Sequence, residues 1–444
     1  MIGTMNETTR PNRIETLEAR AAQLRADETT EALGEALLAL GNAYLAEGNT
    51  PKALTQFEEG LELATSAGDL ESQARFWGYK GICLTQLGNT HFAQIALYKS
   101  HNLAKELGHA PLLIDALIQL GLLQQEMAKG AKALAKFEQA VGEAMTAGDR
   151  KREMIAAGRA GDILLRMGAY PKALEYYSVA LQAAEALDDK RAAGVYHLRA
   201  GSVFLADDAA AIAVEHFESA LNLAEALEDS AAEVNALAHL VRGHIADANV
   251  RLAQLYGEHA MHRAKDLGER EIEFQVASTL GQFLVNEGHF GKALPILQEA
   301  RALVRASDEW DRQLVIHAQL GHVLYQLERG EEALSHLREA LSLAVQLHDV
   351  QAEAQILGRI SAAQAELGQT DEAIETAQQA LALAEENGNE RLLGEQQMLL
   401  AFAFKDRDDE AQAAAYATRA LATFEALGDE ALAERARELL RTVS

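Results

Sequence analysis

The stretch LLALGNAYLAEGNTPKALTQFEEGLELATSAGD, residues 37–69, decides the fold, because its apolar positions fall at helical spacing twice over. Leu37, Leu40 and Tyr44 share one helical face, and Ala53, Phe57, Leu61 and Ala64 share a second. Between the two, EGNTPK supplies a breaker followed by Pro51, which suits the first turn of a helix. AGD at 67–69 closes the second run, since Gly ends a helix and Asp caps the next one. The stretch predicts one helical hairpin.

The same signals return every 40 residues. From Gly41 the step reaches Gly81, Gly121, Gly161, Gly201, Val241, Gly281, Gly321, Ser361 and Ala401. From Ala53 it reaches Ala93, Ala133, Ala173, Ala213, Ala253, Ala293, Ala333, Ala373 and Ala413 without exception. A third track runs Gly60, Ser100, Ala140, and alanine every 40 residues on to Ala420. Three tracks of small side chains at one period mean that helices cross closely at the same places in every repeat. The sequence therefore predicts an all-α, right-handed α-solenoid of about ten helix-turn-helix repeats over 31–429. A hairpin of this size cannot bury its apolar face alone, so the ends need caps. We expect a capping helix within 13–30, with Ile14, Leu17, Ala21 and Leu24 inward. A second is expected over 430–444, with Leu432, Ala436, Leu439, Leu440 and Val443 inward. Residues 1–12, polar and aperiodic, are expected to be a disordered lead.

Composition agrees with this reading and removes several functions. Aromatic residues are 5% of the chain and prolines number five, which favours helix almost throughout. A formal net charge of −27 repels a phosphate backbone, so nucleic acid is not expected as a ligand. The single cysteine, Cys83, excludes an internal disulfide framework, and no apolar run is long enough to cross a bilayer. A soluble, reducing, cytoplasmic setting without membrane contact is the expectation. The oligomeric state is left open.

The pattern L-x2-L-G-x2-Y at Leu37, Leu40, Gly41 and Tyr44, followed by Ala53 and Phe57, resembles the tetratricopeptide repeat. The likeness extends over about nine-tenths of the chain, with Gly60 at the family's next small position in repeat one. The period of 40 resembles the long-helix subclass of Pins-type adaptors, kinesin light chains and bacterial regulator sensor domains. The resemblance implies a binder of peptides or proteins whose first helices line a concave groove. The groove positions it implies lie two before, one after and four after the Gly track. Repeat six departs from the pattern, with Val241 in place of Gly, and either a local change of the superhelix or neutral drift accounts for it.

At the position four after the Gly track, repeats four to eight carry Leu165, Leu205, Ile245, Val285 and Tyr325. Exposed, they form an apolar floor for an amphipathic or extended segment; packed between first helices, they are ordinary core. Two before the Gly track stand Arg159, Arg199 and His239, with Arg166 and Arg242 near them. Guanidinium groups gathered in so acidic a chain can hold a partner's carboxylates, or can bridge to neighbouring Glu and Asp. Tyr79 and Tyr325 are candidate aromatic anchors. The expected partner is a protein or peptide, acidic and amphipathic; the competing expectation is a scaffold that self-associates or acts through its convex face.

Catalytic and cofactor motifs are missing. There is no Walker loop, dinucleotide fingerprint, HExxH or nucleophile elbow, so no cofactor and no enzyme activity are expected. Cys83, inside a helix, reads as a small buried side chain. His239, His244, His259 and His262 cluster in repeat six, but no carboxylate or cysteine stands at a ligand spacing beside them, so no metal site is expected.

Overall fold

The structure, a computed structural model, describes residues 9–27, 30–304 and 309–443. The lead expected over 1–12 lies outside the described residues for its first eight positions. All elements among the described residues are helices. The chain divides into two units, residues 1–232 and 233–444, with the boundary in the first turn of a helix.

Unit 1 holds α1 (Thr9–Ala26), α2 (Thr30–Ala46), α3 (Thr50–Ala67), α4 (Leu70–Gln86), α5 (Thr90–Glu106) and α6 (Ala110–Glu126). It continues with α7 (Gly130–Ala147), α8 (Arg150–Arg166), α9 (Tyr170–Ala186), α10 (Lys190–Ala206) and α11 (Ala210–Ala226). Unit 2 holds α12 (Ser230–Ala246), α13 (Val250–Leu267), α14 (Arg270–Asn286), α15 (Phe290–Val304), α16 (Trp310–Gln326) and α17 (Gly330–Leu347). It ends with α18 (Val350–Glu366), α19 (Thr370–Asn387), α20 (Glu390–Asp406), α21 (Glu410–Leu427) and α22 (Glu430–Val443). From α2 to α21 the helices pair as ten antiparallel hairpins, so each unit is a helical-repeat solenoid.

The joints show why the pairing is so regular. Among the described residues a residue of left-handed backbone recurs at 20-residue spacing, from Gly48, Gly68 and Gly88 onward, two before the next helix begins. The 40-residue period is thus two equal steps, each a helix of four to five turns and the same tight joint. At Gly68 the N–H reaches back to Ala64 and Thr65 carbonyls, and Asp69 then caps α4 by accepting from the N–H groups of Glu71 and Ser72. Elsewhere Ala128, Asp188, Ala248 or His348 takes the same conformation at φ 50–56°. There the geometry of the joint overrides the preference for glycine.

Packing inside each hairpin explains the Gly track. A methyl group on Gly121 would stand 2.6 Å from the ring of Phe137, and one on Gly201 would stand 2.4 Å from Phe217. Gly41 with Phe57, Gly161 with Tyr177 and Gly281 with Leu297 repeat the arrangement. Each glycine on the first helix is therefore the socket for the large residue four after the Ala track on the second. Repeat six inverts the pair: Val241 is buried, and position 257, which holds the large residue in most hairpins, is a buried Gly. The side chain nearest Gly257 is Leu280 of α14 in the next hairpin, and both helices of repeat six keep the regular length.

First helices of successive hairpins touch one another: α2, α4, α6, α8 and α10 in unit 1, and α14, α16, α18 and α20 in unit 2. Second helices do not touch one another among the described residues. A stack whose first helices crowd while its second helices spread must curve toward the first helices, which places them on the inner face of each unit. In the end helices Ile14 and Ala21 of α1 are buried and Leu17 and Leu24 half-buried, while Ala433, Ala436, Leu439 and Val443 of α22 are buried and Leu432 and Leu440 half-buried. No helix is long and apolar enough to cross a membrane.

Candidate binding surface on the first helices

On the inner face of unit 1 the structure brings Arg159, Arg199 and Asp162 together. Arg159 and Asp162, one turn apart on α8, approach to 4.0 Å, and Arg199 of α10 reaches the same carboxylate at 3.4 Å. Asp162 is itself fixed by the Tyr177 hydroxyl, which donates to it at 2.7 Å. Burial, then the Asp162 charge, pushes the Tyr177 phenol pKa up. Two guanidinium groups thus share one mostly buried carboxylate, and both remain about half exposed. Arg166, near enough to act on Tyr177 electrostatically, is exposed at the end of α8. Leu165 and Leu205 are half-buried, and Leu165 packs against the cluster of Leu164, Ala173, Tyr177 and Val203.

In unit 2, Arg242 is exposed and Ile245 is half-buried on α12. His239, on the same helix, lies 2.9 Å through its Nδ1 from the Asn235 carbonyl. Val285 is buried, and Tyr325 is half-buried against the core of Leu314, Leu337 and Ile360. The position four after the Gly track therefore carries side chains set between hairpins, with only part of each surface open to the inner face.

A cavity of about 620 Å³ opens on that inner face further along unit 2, and most of its residues were passed over in the sequence reading. His322 and Tyr325 of α16, Gln355 and Arg359 of α18, and Glu395, Leu399 and Phe402 of α20 line it, with Leu432 and Arg435 of α22 at one end. On α18 and α20 these are positions six before, two before and one after the Gly track, so the signal was legible: one inward stripe of a 3.6-residue helix. Arg359 donates to the Ala318 carbonyl at 3.2 Å. Its immersion between the cavity walls lowers its pKa, opposed by the nearby Glu395 charge. Burial, then the charge of Arg359, lowers the pKa of His322 as well. Among the described residues no carboxylate lies within 4.0 Å of the Arg359 or Arg435 guanidinium. Gln396, also in the wall, is 2% exposed, and its Oε1 has no hydrogen-bond partner.

Cys83 and the histidines of repeat six stand in separate surroundings. Cys83 is buried, and burial pushes its thiol pKa up to about 12, so it carries no thiolate at neutral pH. Of the repeat-six histidines, His244 is buried and stacks on Tyr256, His259 faces Glu233 at 3.9 Å, and His262 faces Asp266 at 3.5 Å. Among the described residues no group of three or more His, Cys, Asp or Glu side chains converges as a metal site.

Hairpins stacked at a fixed period define the class: an α-helical repeat protein. Residues 312–386 match the tetratricopeptide repeat family. Among solved structures the chain is similar to a signal transduction ATPase with numerous domains from Pyrococcus horikoshii, which carries a tetratricopeptide repeat sensor. The TM-score is 0.55 at 15% identity, covering 84% of this chain and 55% of that one, so this chain spans little more than half the length of that protein. It is also similar to aspartyl phosphate phosphatase F from Bacillus subtilis, at TM-score 0.45 and 12% identity, covering 80% of this chain and 94% of that one. The C-terminal part of a repeat-containing protein from Cytophaga hutchinsonii matches at TM-score 0.45 and 15% identity, covering 60% and 94%. No curated protein matches the sequence.

Proposed function

We propose that this chain is a cytoplasmic, non-catalytic adaptor or sensor that holds a segment of a partner protein on the inner face of its hairpins, with the unit 2 cavity as the principal contact. The observation that carries this reading is the pairing inside that cavity of two cations without carboxylate partners, Arg359 and Arg435, with the apolar walls of Tyr325, Leu399 and Phe402. In a chain of net charge −27, cations that among the described residues make no direct carboxylate contact, in a concave wall of large apolar side chains that also holds Glu395, are suited to a partner's carboxylate beside a large apolar side chain. An acidic, amphipathic segment fits both features. Arg159, Arg166, Arg199 and Leu205 in unit 1, and His239, Arg242 and Ile245 in unit 2, are proposed as secondary contacts within their own units. Asp162 already occupies two of those arginines and would compete with an incoming carboxylate.

The test compares three folded proteins as baits in a native cell extract: wild type, Arg359→Glu/Phe402→Ala, and Arg159→Glu/Arg199→Glu/Arg242→Glu. Partners lost from the cavity variant support the proposal, and partners lost only from the triple variant move the contact to the arginines of the second set. Partners retained by both variants would overturn inner-face binding. A mass that rises with protein concentration and is unchanged in either variant would favour a self-associating scaffold.

A further inference from the structure

Two histidine pairs join the first and second helices of their hairpins at equivalent places in the repeat. His197 of α10 and His216 of α11 bring their Nδ1 atoms to 3.0 Å, with ring centroids 5.2 Å apart. His317 of α16 and His336 of α17 bring theirs to 3.3 Å, with centroids 5.0 Å apart. Each pair occupies the position four before the Gly track and the position three after the Ala track. The other repeats place there Leu37 with Gln56, Trp77 with Ala96, Leu117 with Lys136, Ala157 with Tyr176, Leu237 with Tyr256, and similar pairs. None of those joins two metal-ligating side chains, so packing of the hairpin does not require imidazoles. All four rings are half-buried, with one side open to solvent.

We propose that His197 and His216 form a two-nitrogen site for a borderline transition ion, Cu²⁺ or Ni²⁺, while His317 and His336 are held in a proton-bridged form that does not bind one. Metal–imidazole bonds of about 2.0–2.1 Å across a 3.0 Å separation subtend about 95°, the angle of adjacent ligands in tetragonal coordination. No third side chain converges, so water fills the remaining positions from the open side. To bind through Nδ1, each neutral ring must carry its proton on Nε2. At the first pair the only cost is the Nδ1–Nδ1 hydrogen bond that the metal replaces: Phe204 stacks on the His216 ring, and the side-chain charges acting on the two rings from outside the pair, Glu185 and Glu215, are anionic.

The second pair has the same spacing and the opposite surroundings. Arg301 lies 3.3 Å from His336 Nε2 through Nη1. A guanidinium can only donate, so this Nε2 must accept and the ring's proton is pinned on Nδ1, where it bridges to His317. A metal at that Nδ1 would have to break the Arg301 contact and would also face its charge. Repeat eight thus serves as an internal control for repeat five.

The test uses the full-length chain without an affinity tag, stripped of metal and titrated with CuCl₂ at pH 7.5, followed by electron paramagnetic resonance and thermal denaturation. The expected result is one Cu²⁺ per chain with a two-nitrogen signature and a Tm raised by a few degrees at excess metal. Both effects should vanish in His197→Leu/His216→Tyr, which copies the pair found in repeat six and so keeps the hairpin packed. Both should survive in His317→Leu/His336→Tyr. Retention of the signal in the first variant, its loss in the second, or no two-nitrogen species at all would each overturn the proposal.

Discussion

A methyl group added to this chain has opposite effects at two glycines of one hairpin. At Gly121 it would enter the space filled by the Phe137 ring, whereas at Gly142, exposed on α7, nothing lies within 4 Å. Gly121→Ala should therefore destabilise by about 1–3 kcal/mol through overpacking, against the gain in helix propensity. Gly142→Ala should stabilise by up to about 1 kcal/mol, because only propensity changes there. Urea denaturation of the two variants beside wild type checks both signs, and a stable Gly121→Ala would remove the socket explanation of the Gly track. The track was plain in the sequence as a run of small residues. Which large residue each glycine receives was not, because the partner lies 16 residues away on another helix and only the crossing of the two brings them together.

At the scale of helix pairs, repeat six offers a way to test whether a hairpin counts total volume. Val241→Gly should cost about 3–5 kcal/mol, from a cavity and a helical glycine together. Gly257→Phe alone should also destabilise, since a side chain there meets Leu280. Leu280 lies on the next hairpin and is not moved by Val241→Gly, so the two losses should add in the double variant. A double variant clearly more stable than that sum in chemical denaturation would show instead that positions 241 and 257 share one space. The His317–His336 contact adds a pH dependence. Burial lowers both pKa values and Arg301 adds to it, with His336 pushed to about 4 by burial, the His317 ring and Arg301 together, while Glu339 and His336 act in the other direction on His317 and Glu332 does so on His336. The unfolded imidazoles titrate near 6.5, so between that pH and about 4 the unfolded chain binds more protons than the folded one. Stability from this pair is thus complete above pH 6.5 and lost as the pH falls toward 4. His317→Leu/His336→Tyr should have a flatter Tm profile than wild type across pH 7 to 5, and an unchanged slope would show that the pair stays uncharged in both states.

For the whole molecule, stability is a sum over neighbouring hairpins more than a single global transition. The exposed interhelical ion pairs, such as Arg312 with Glu271 and Arg75 with Glu35, add little to that sum; the buried faces decide it. Leu439 and Val443 of α22 cover the end of the cluster around Ala417 and Phe424. Deleting residues 430–444 should remove about 3–6 kcal/mol of local burial. Hydrogen exchange should then show α20 and α21 opening while the amides of unit 1 keep their protection. Equal loss of protection throughout would indicate one cooperative block.

The sequence by itself determined that the chain is helical, that its repeat is a two-helix hairpin, and where each apolar face lies. These are consequences of local periodicity, of small-residue spacing and of breakers that act within a few residues. The positions two before and one after the Gly track, which the resemblance implied for a groove, are among those whose side chains line the unit 2 cavity. Only the tertiary structure decided which inward side chains are already occupied. The sequence left Arg159 and Arg199 either to hold a partner's carboxylates or to bridge to neighbouring acids, and in the structure both turn to Asp162, one turn away on one helix and on the next hairpin for the other. Arg359, on the same track, met no such carboxylate. The two histidine pairs escaped notice for the same reason: 19 residues separate each partner, and nothing short of the helix crossing puts their nitrogens 3 Å apart. Neutralisation and coordination depend on distances of a few ångströms between separate helices, and periodicity along one chain does not encode those distances.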